Sequence, residues 1–230
     1  MSAFFTFDGS AGTFLSTPDT PDLTPVVQDM EVDVDIPAVI ATEIFNKYET
    51  NQRSYGMLWT ATAPGGRWST DGSTNDKSRI GSAVMATGRH VVRVVLDIPG
   101  GGLAYFFDGA PAGTSAVTDT VFTSTAALQV GARYLGGGGP LTGDVYRAVL
   151  RNGDGGPIIA DMNPTAANFP DGPVSNGSTW VSSDGRTWTV NGNGISYTDT
   201  SGPNKPDLFI LREGRKQTQN QDLEIMRPRI

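Results

Sequence analysis

Three carboxylates stand at every second position of DMEVDVDIP, residues 29–37: Glu31, Asp33 and Asp35. On a strand that spacing aims all three at one face. Retaining glycoside hydrolysis uses two carboxyls roughly 5–5.5 Å apart, one as nucleophile and one as acid and then base, and same-face strand neighbours come close to that separation. The last position is Asp, however, which holds its carboxyl about one methylene short of a Glu. The plainer reading is an acidic row facing water, with Val32, Val34 and Ile36 forming the core row behind it.

The chain has a single histidine, His90, at the head of HVVRVVLD. As a general base it would need a nucleophile and an orienting carboxylate. The chain has no Cys, so that nucleophile would be Ser or Thr, and no G-x-S-x-G elbow occurs. Alternation puts His90 on a face with Val92, Val94 and Leu96, which marks a strand-end imidazole holding a hydrogen bond. Arg93 and Asp97 fall on the opposite face with Val91 and Val95, where they either line a recognition surface or pair with neighbours.

STDGSTND clusters Asp71, Ser73, Asn75 and Asp76, oxygen donors of the kind Ca²⁺ takes. The spacing does not match an EF-hand loop, and turn-capping by Asp and Asn explains the same residues. No other cofactor is indicated. Trp68 lies beside this turn, and together with Tyr55 it offers a platform on which a sugar ring stacks; core filling is the alternative for both. The glycine runs PGGG and GGGGP lack the Lys-Ser or Lys-Thr and the following helix of a phosphate cradle.

These residues need strands to position them, and the composition is that of an all-β chain. Its 230 residues include 29 Gly and 15 Pro, with Val, Thr and aromatic residues in short runs between them. Strands are expected over 3–8, 12–17, 29–37, 39–48, 54–61, 79–85, 90–98, 103–108, 126–132, 143–151, 157–162, 178–183, 186–191 and 194–199. APGG, IPGGG, RNGDGG, SSDGR and VNGNG read as turns that accept positive φ. No window approaches a membrane span, and MSAFFTFDGSAG has no secretory pattern, so synthesis in a cytoplasm and no membrane insertion are expected.

Charge divides the chain. Residues 1–200 hold 20 Asp and Glu against 11 Lys and Arg, and residues 201–230 hold 4 against 6. The acidic body argues against nucleic acid as a partner. The basic tail surrounds Leu208, Phe209, Ile210 and Leu211 with Arg212, Arg227 and Arg229, and reads as an arm that docks on a neighbouring subunit. The division is therefore a domain over 1–200 and an arm over 201–230.

Taken in order, FFTFDGSAGTFLSTPDTPDL, NKYETNQRSYGMLW, WSTDGST, GRHVVRVVLD with LAYFFDG, LQVGARYLGGGGPLTGDVYRAVLRNGDGGPIIADM and DGRTWTVNGNG resemble the laminin-G-like, concanavalin-A-like jelly-roll domain, in the version found in minor tail proteins of actinobacterial phages. The resemblance covers roughly residues 3–198. It implies a two-sheet antiparallel β-sandwich and a non-enzymatic structural role on the tail or capsid surface of a virion. The expected partners are other virion proteins, further copies of the chain and a host cell-surface glycan. Capsid decoration and a lectin-like carbohydrate-binding module remain alternatives, with a glycoside hydrolase further off.

Overall fold

The computed structural model describes residues 3–60, 62–82 and 86–201. Its strands in chain order are β1 (Ala3–Asp8), β2 (Phe14–Thr17), β3 (Gln28–Ile36), β4 (Thr42–Glu49), β5 (Gln52–Trp59), β6 (Pro64–Ser69), β7 (Asp76–Ile80), β8 (Gly88–Asp97), β9 (Gly102–Phe107), β10 (Ala110–Ala116), β11 (Leu128–Val130), β12 (Thr142–Asn152), β13 (Ile158–Met162), β14 (Gly172–Pro173), β15 (Thr179–Val181), β16 (Thr187–Asn191) and β17 (Ile195–Asp199). They form two antiparallel sheets. The first runs β10-β9-β8-β3-β12-β1-β17-β14, with β13 also on β12, and the second runs β15-β16-β2-β11-β4-β5-β6-β7. Neighbours distant in sequence, such as β8, β3 and β12, give a jelly-roll sandwich.

Alternation fills the space between the sheets. Met30, Val32, Val34 and Ile36 of β3 and Val92, Val94 and Leu96 of β8 are buried in one core, facing Met57, Trp59, Trp68 and Val130 from the second sheet. In β12 a bulge between Val145 and Arg147 turns Tyr146 and Arg147 outward in succession, which keeps Val145, Ala148 and Leu150 inside. One end of the sandwich is closed by rings: Phe5 lies 5.0 Å from Trp180 and 5.5 Å from Tyr197, and Trp180 stacks on Trp188 at 6.3 Å.

Three strands run where the sequence pattern does not place them: β6, β10 and the two-residue β14. APGG, expected as a turn, opens β6, and Gly65 and Gly66 pair with Leu58 and Met57. A Cβ on Gly66 would overlap a methyl of Leu103 and crowd Val94, both on the first sheet, so the glycine lets the two sheets approach. β10, APAGTSA, has no apolar alternation and shifts register between Pro111 and Thr114, where Gly113 has φ 111°. The strand expected over 79–85 begins instead at Asp76 and ends at Ile80, and residues 83–85 lie outside the described residues. So does the arm from residue 202 onward, including Leu208, Phe209, Ile210, Leu211, Arg212, Arg227 and Arg229.

The close approach at Gly66 sets a test. Gly66→Val overpacks the intersheet space and is expected to destabilise by about 1–3 kcal/mol in urea unfolding, with part of the loss recovered in Gly66→Val/Leu103→Ala. Purely additive losses in the double variant would show that Leu103 is not what the glycine accommodates.

Candidate ligand-binding face

The outer face of the first sheet is built from charges set opposite one another. Arg93 of β8 donates from Nε and a terminal nitrogen to both oxygens of Asp29 on β3, at 2.8 and 2.7 Å. The Asp29 side chain is fully buried and also accepts the Gly155 amide at 2.8 Å. Arg93 pairs in addition with Asp154, and its guanidinium lies 4.8 Å from the centre of the Phe106 ring. These bonds hold the Arg93 side chain across the face.

Along β8, β9 and β10 that face opens into a cleft of about 390 Å³. Val95, Gly102 and Ala104 line it alongside Asp97, Asp154 and Thr114. Asp97 takes the Gly100 amide at 2.7 Å, and Asp154 is 64% exposed. A second depression, about 210 Å³, lies along β3, β8 and β9 between Glu31, Val91, Arg93, Phe106 and Gly109. Together these supply carboxylate and hydroxyl groups beside an aromatic face, a set that suits a hydroxyl-rich ring with an apolar side.

The structure thus brings Arg93 and Asp97 onto one face, where both line depressions. It separates them from Trp68 and Tyr55, which are fully buried. This corrects the expectation of a surface platform: inward alternation on β5 and β6 puts both rings in the core, and the Tyr55 hydroxyl donates to the Leu23 carbonyl. At Asp71, Asn75 and Asp76 the structure shows the turn-capping that Asp and Asn provide, with the carboxylates engaged by the protein itself. Asp71 accepts the amides of Ser73, Thr74 and Asn75 at 2.8–3.1 Å, and the Ser73 and Asn75 amides lead the effects that hold its carboxyl well below the usual range. Asp76 takes Arg53 at 2.9 Å and the Tyr48 hydroxyl at 3.0 Å. Among the described residues no group of three or more His, Cys, Asp or Glu is placed to hold a metal.

The acidic row of β3 faces outward, as its spacing predicts, with Glu31 on Arg151 at 3.0 Å and Asp33 on Arg89 at 2.9 and 2.7 Å. His90 sits against the Phe107 ring, and its Nδ1 is 2.8 Å from Asp108. Burial pushes the Asp108 carboxyl up, but the imidazole and the Val91 amide outweigh it and leave it below its ordinary value. Sequence reasoning missed Phe106, Asp154 and Thr114. The alternation of LAYFFD contained the signal for Phe106, which pairs directly with Arg93.

On the second sheet's outer face Glu43 is buried beneath the segment 131–141. Its Oε1 lies 2.9 Å from Arg67 and 3.4 Å from Arg133, and its backbone amide donates to Gly139 at 3.0 Å. Burial pushes its carboxyl up to about 7, opposed by the charge of Arg133 and aided by that of Asp76.

No protein-family model matches the chain, and no curated protein matches it. In structure it is similar to a candidate carbohydrate-binding protein from Bacteroides ovatus ATCC 8483, with a TM-score of 0.62 and 11% identity, covering 88% of this chain and 61% of that one. It is also similar to domains LG4-5 of the mouse laminin alpha1 chain, with a TM-score of 0.52 and 12% identity, covering 68% of this chain and 44% of that one. The chain therefore spans less than two thirds of either protein's length. These likenesses establish the fold, a laminin-G-like jelly-roll sandwich.

Glu43 carries a pH dependence. The unfolded chain releases this proton near 4.5 and the folded chain near 7, so stability is expected to fall by ~3 kcal/mol as pH rises through that window and to level off above it. Urea unfolding from pH 4.5 to 8 reads the slope, which Glu43→Gln should flatten. An equal slope in both proteins would remove the assignment to Glu43.

Proposed function

We propose that this chain is a non-enzymatic glycan-binding domain whose ligand site is the cleft over β8, β9 and β10. The observation that carries this reading is the placing of Asp97 and Asp154 in one cleft, with Phe106 in the adjoining depression. Carboxylates accept from sugar hydroxyls, and an aromatic face packs on the apolar side of a sugar ring. The fold likeness to the Bacteroides ovatus protein supports it. A hydrolytic role for the β3 row has less support, because Glu31 and Asp33 are each held by an arginine.

A second reading sets the same domain on a bacteriophage virion, as a minor tail protein or a capsid decoration, with residues 201–230 docking on another virion protein or another copy. It rests on the ordered motifs across residues 3–198 and on the basic, apolar-centred tail sequence. The two readings are compatible, since host adhesion through a glycan joins them. Imaging of particles with the protein labelled tests the setting; its absence from them would remove it.

Glycan-array screening followed by calorimetry tests the binding. Asp97→Ala and Phe106→Ala are each expected to weaken the best array ligand by tenfold or more, about 1.4 kcal/mol, with circular dichroism unchanged. A protein that binds no glycan on the array sinks the reading.

A further inference from the structure

The two depressions share a direction. Val91, Arg93, Val95 and Asp97 succeed one another on the outward side of β8, with Phe106, Ala104 and Gly102 opposite the last three on β9. At a strand's rise per residue, Val91 to Asp97 spans about 20 Å. The Arg93–Phe106 pair stands at the junction, since both line the smaller depression and Arg93 also grips Asp154 of the larger one. Each end is bounded by a glycine turn. A Cβ at Gly101 or at Gly109 would meet nothing within 4 Å, so at these two positions the turns put neither a side chain nor a close neighbour in the way of a passing chain.

Charge narrows the ligand further. The carboxylates of Glu31, Asp97 and Asp154 line these depressions, while the lining guanidinium, Arg93, is already held by Asp29 and Asp154. An acidic sugar would set its own carboxylate or sulfate against these groups with no free cation among the lining residues to receive it. We infer that the groove takes an internal run of an extended, non-acidic glycan, seated in both depressions across the Arg93–Phe106 pair. The inference rests on the glycan-binding reading and adds to it chain length, open ends and selection against acidic sugars.

Calorimetry with dimers and hexamers of β-linked glucose, N-acetylglucosamine and glucosamine, and with a hyaluronan hexasaccharide, tests it on the full chain. At least one non-acidic hexamer should bind tenfold or more tighter than its dimer, and the hyaluronan hexasaccharide should bind more weakly than that hexamer. Ala104→Trp, an outward substitution that fills the larger depression, should erase the hexamer's tenfold advantage over the dimer. Equal affinity for dimer and hexamer overturns the inference, as does tighter binding of hyaluronan. Failure of all three non-acidic hexamers overturns it too, even where the array shows another ligand and the glycan-binding reading stands. A silent array overturns both. Should Ala104→Trp fail to fold, Thr114→Trp on the neighbouring strand fills the same depression and carries the same expectation.

Discussion

The pairing of Arg93 with Asp29 is the contact on which the ligand-bearing face depends. A carboxylate with no exposure loses its hydration, and in a protein that costs several kcal/mol unless donors replace the water. Asp29 receives two bonds from one guanidinium and a third from the Gly155 amide. Those donors come from β8 and from the loop after β12, so β3, β8 and that loop are tied at one point. Asp154 is Gly155's neighbour in the chain, and Phe106 lies against the same guanidinium. The wall of the larger depression and the aromatic face of the smaller one are therefore positioned by one buried charge.

Much of the fold was legible because burial on one side only writes a period of two. β3 carries it in full: Val32, Val34 and Ile36 are buried, Glu31, Asp33 and Asp35 are not, and the row reads directly as a strand with a wet outer face. The period fails where a strand is made of residues that report no burial. Gly66 in β6 leaves out a side chain because Leu103 of the other sheet needs the space, and β10 is built of small, mostly exposed residues. β10 borders the ligand cleft, so part of the site's own boundary was hidden from the pattern. Trp68 was misplaced for a related reason, since its polar neighbours in the following turn say nothing about which way β6 directs it.

The acidic residues divide by where their donors lie. Asp71 and Asp108 are held by amides of their own turns or hairpins, a use that Asp before Gly predicts locally. Asp29, Glu31 and Asp33 are held by arginines on strands distant in sequence, which no local pattern can show. Asp97, which takes an amide of its own turn, and Asp154, which pairs with Arg93, have donors of these same two kinds but also line an open cleft. Candidate ligand contacts were thus distinguished from structural carboxylates only once the pairing of β3, β8 and β12 was known.

The same pairing explains why a ligand would use the first sheet and not the second. On the second sheet β4 is buried on both sides: its outward residues Glu43, Asn46 and Tyr48 lie beneath the segment 131–141. Tyr134 donates its amide to Tyr48 at 2.9 Å, Gly136 accepts that of Gly12 at 2.9 Å, and Gly139 accepts that of Glu43 at 3.0 Å. Tyr134 and Leu135 both take left-handed φ, at 52° and 53°, a conformation unfavourable to residues with a Cβ, and these three bonds fasten the segment in place. The run GGGGP is then a thin cover, lacking side chains because Gly136 rests directly on Gly12 and Gly139 on Glu43. With the centre of one face closed by the chain's own backbone, the β8–β9 face is, among the described residues, a surface open to an extended ligand.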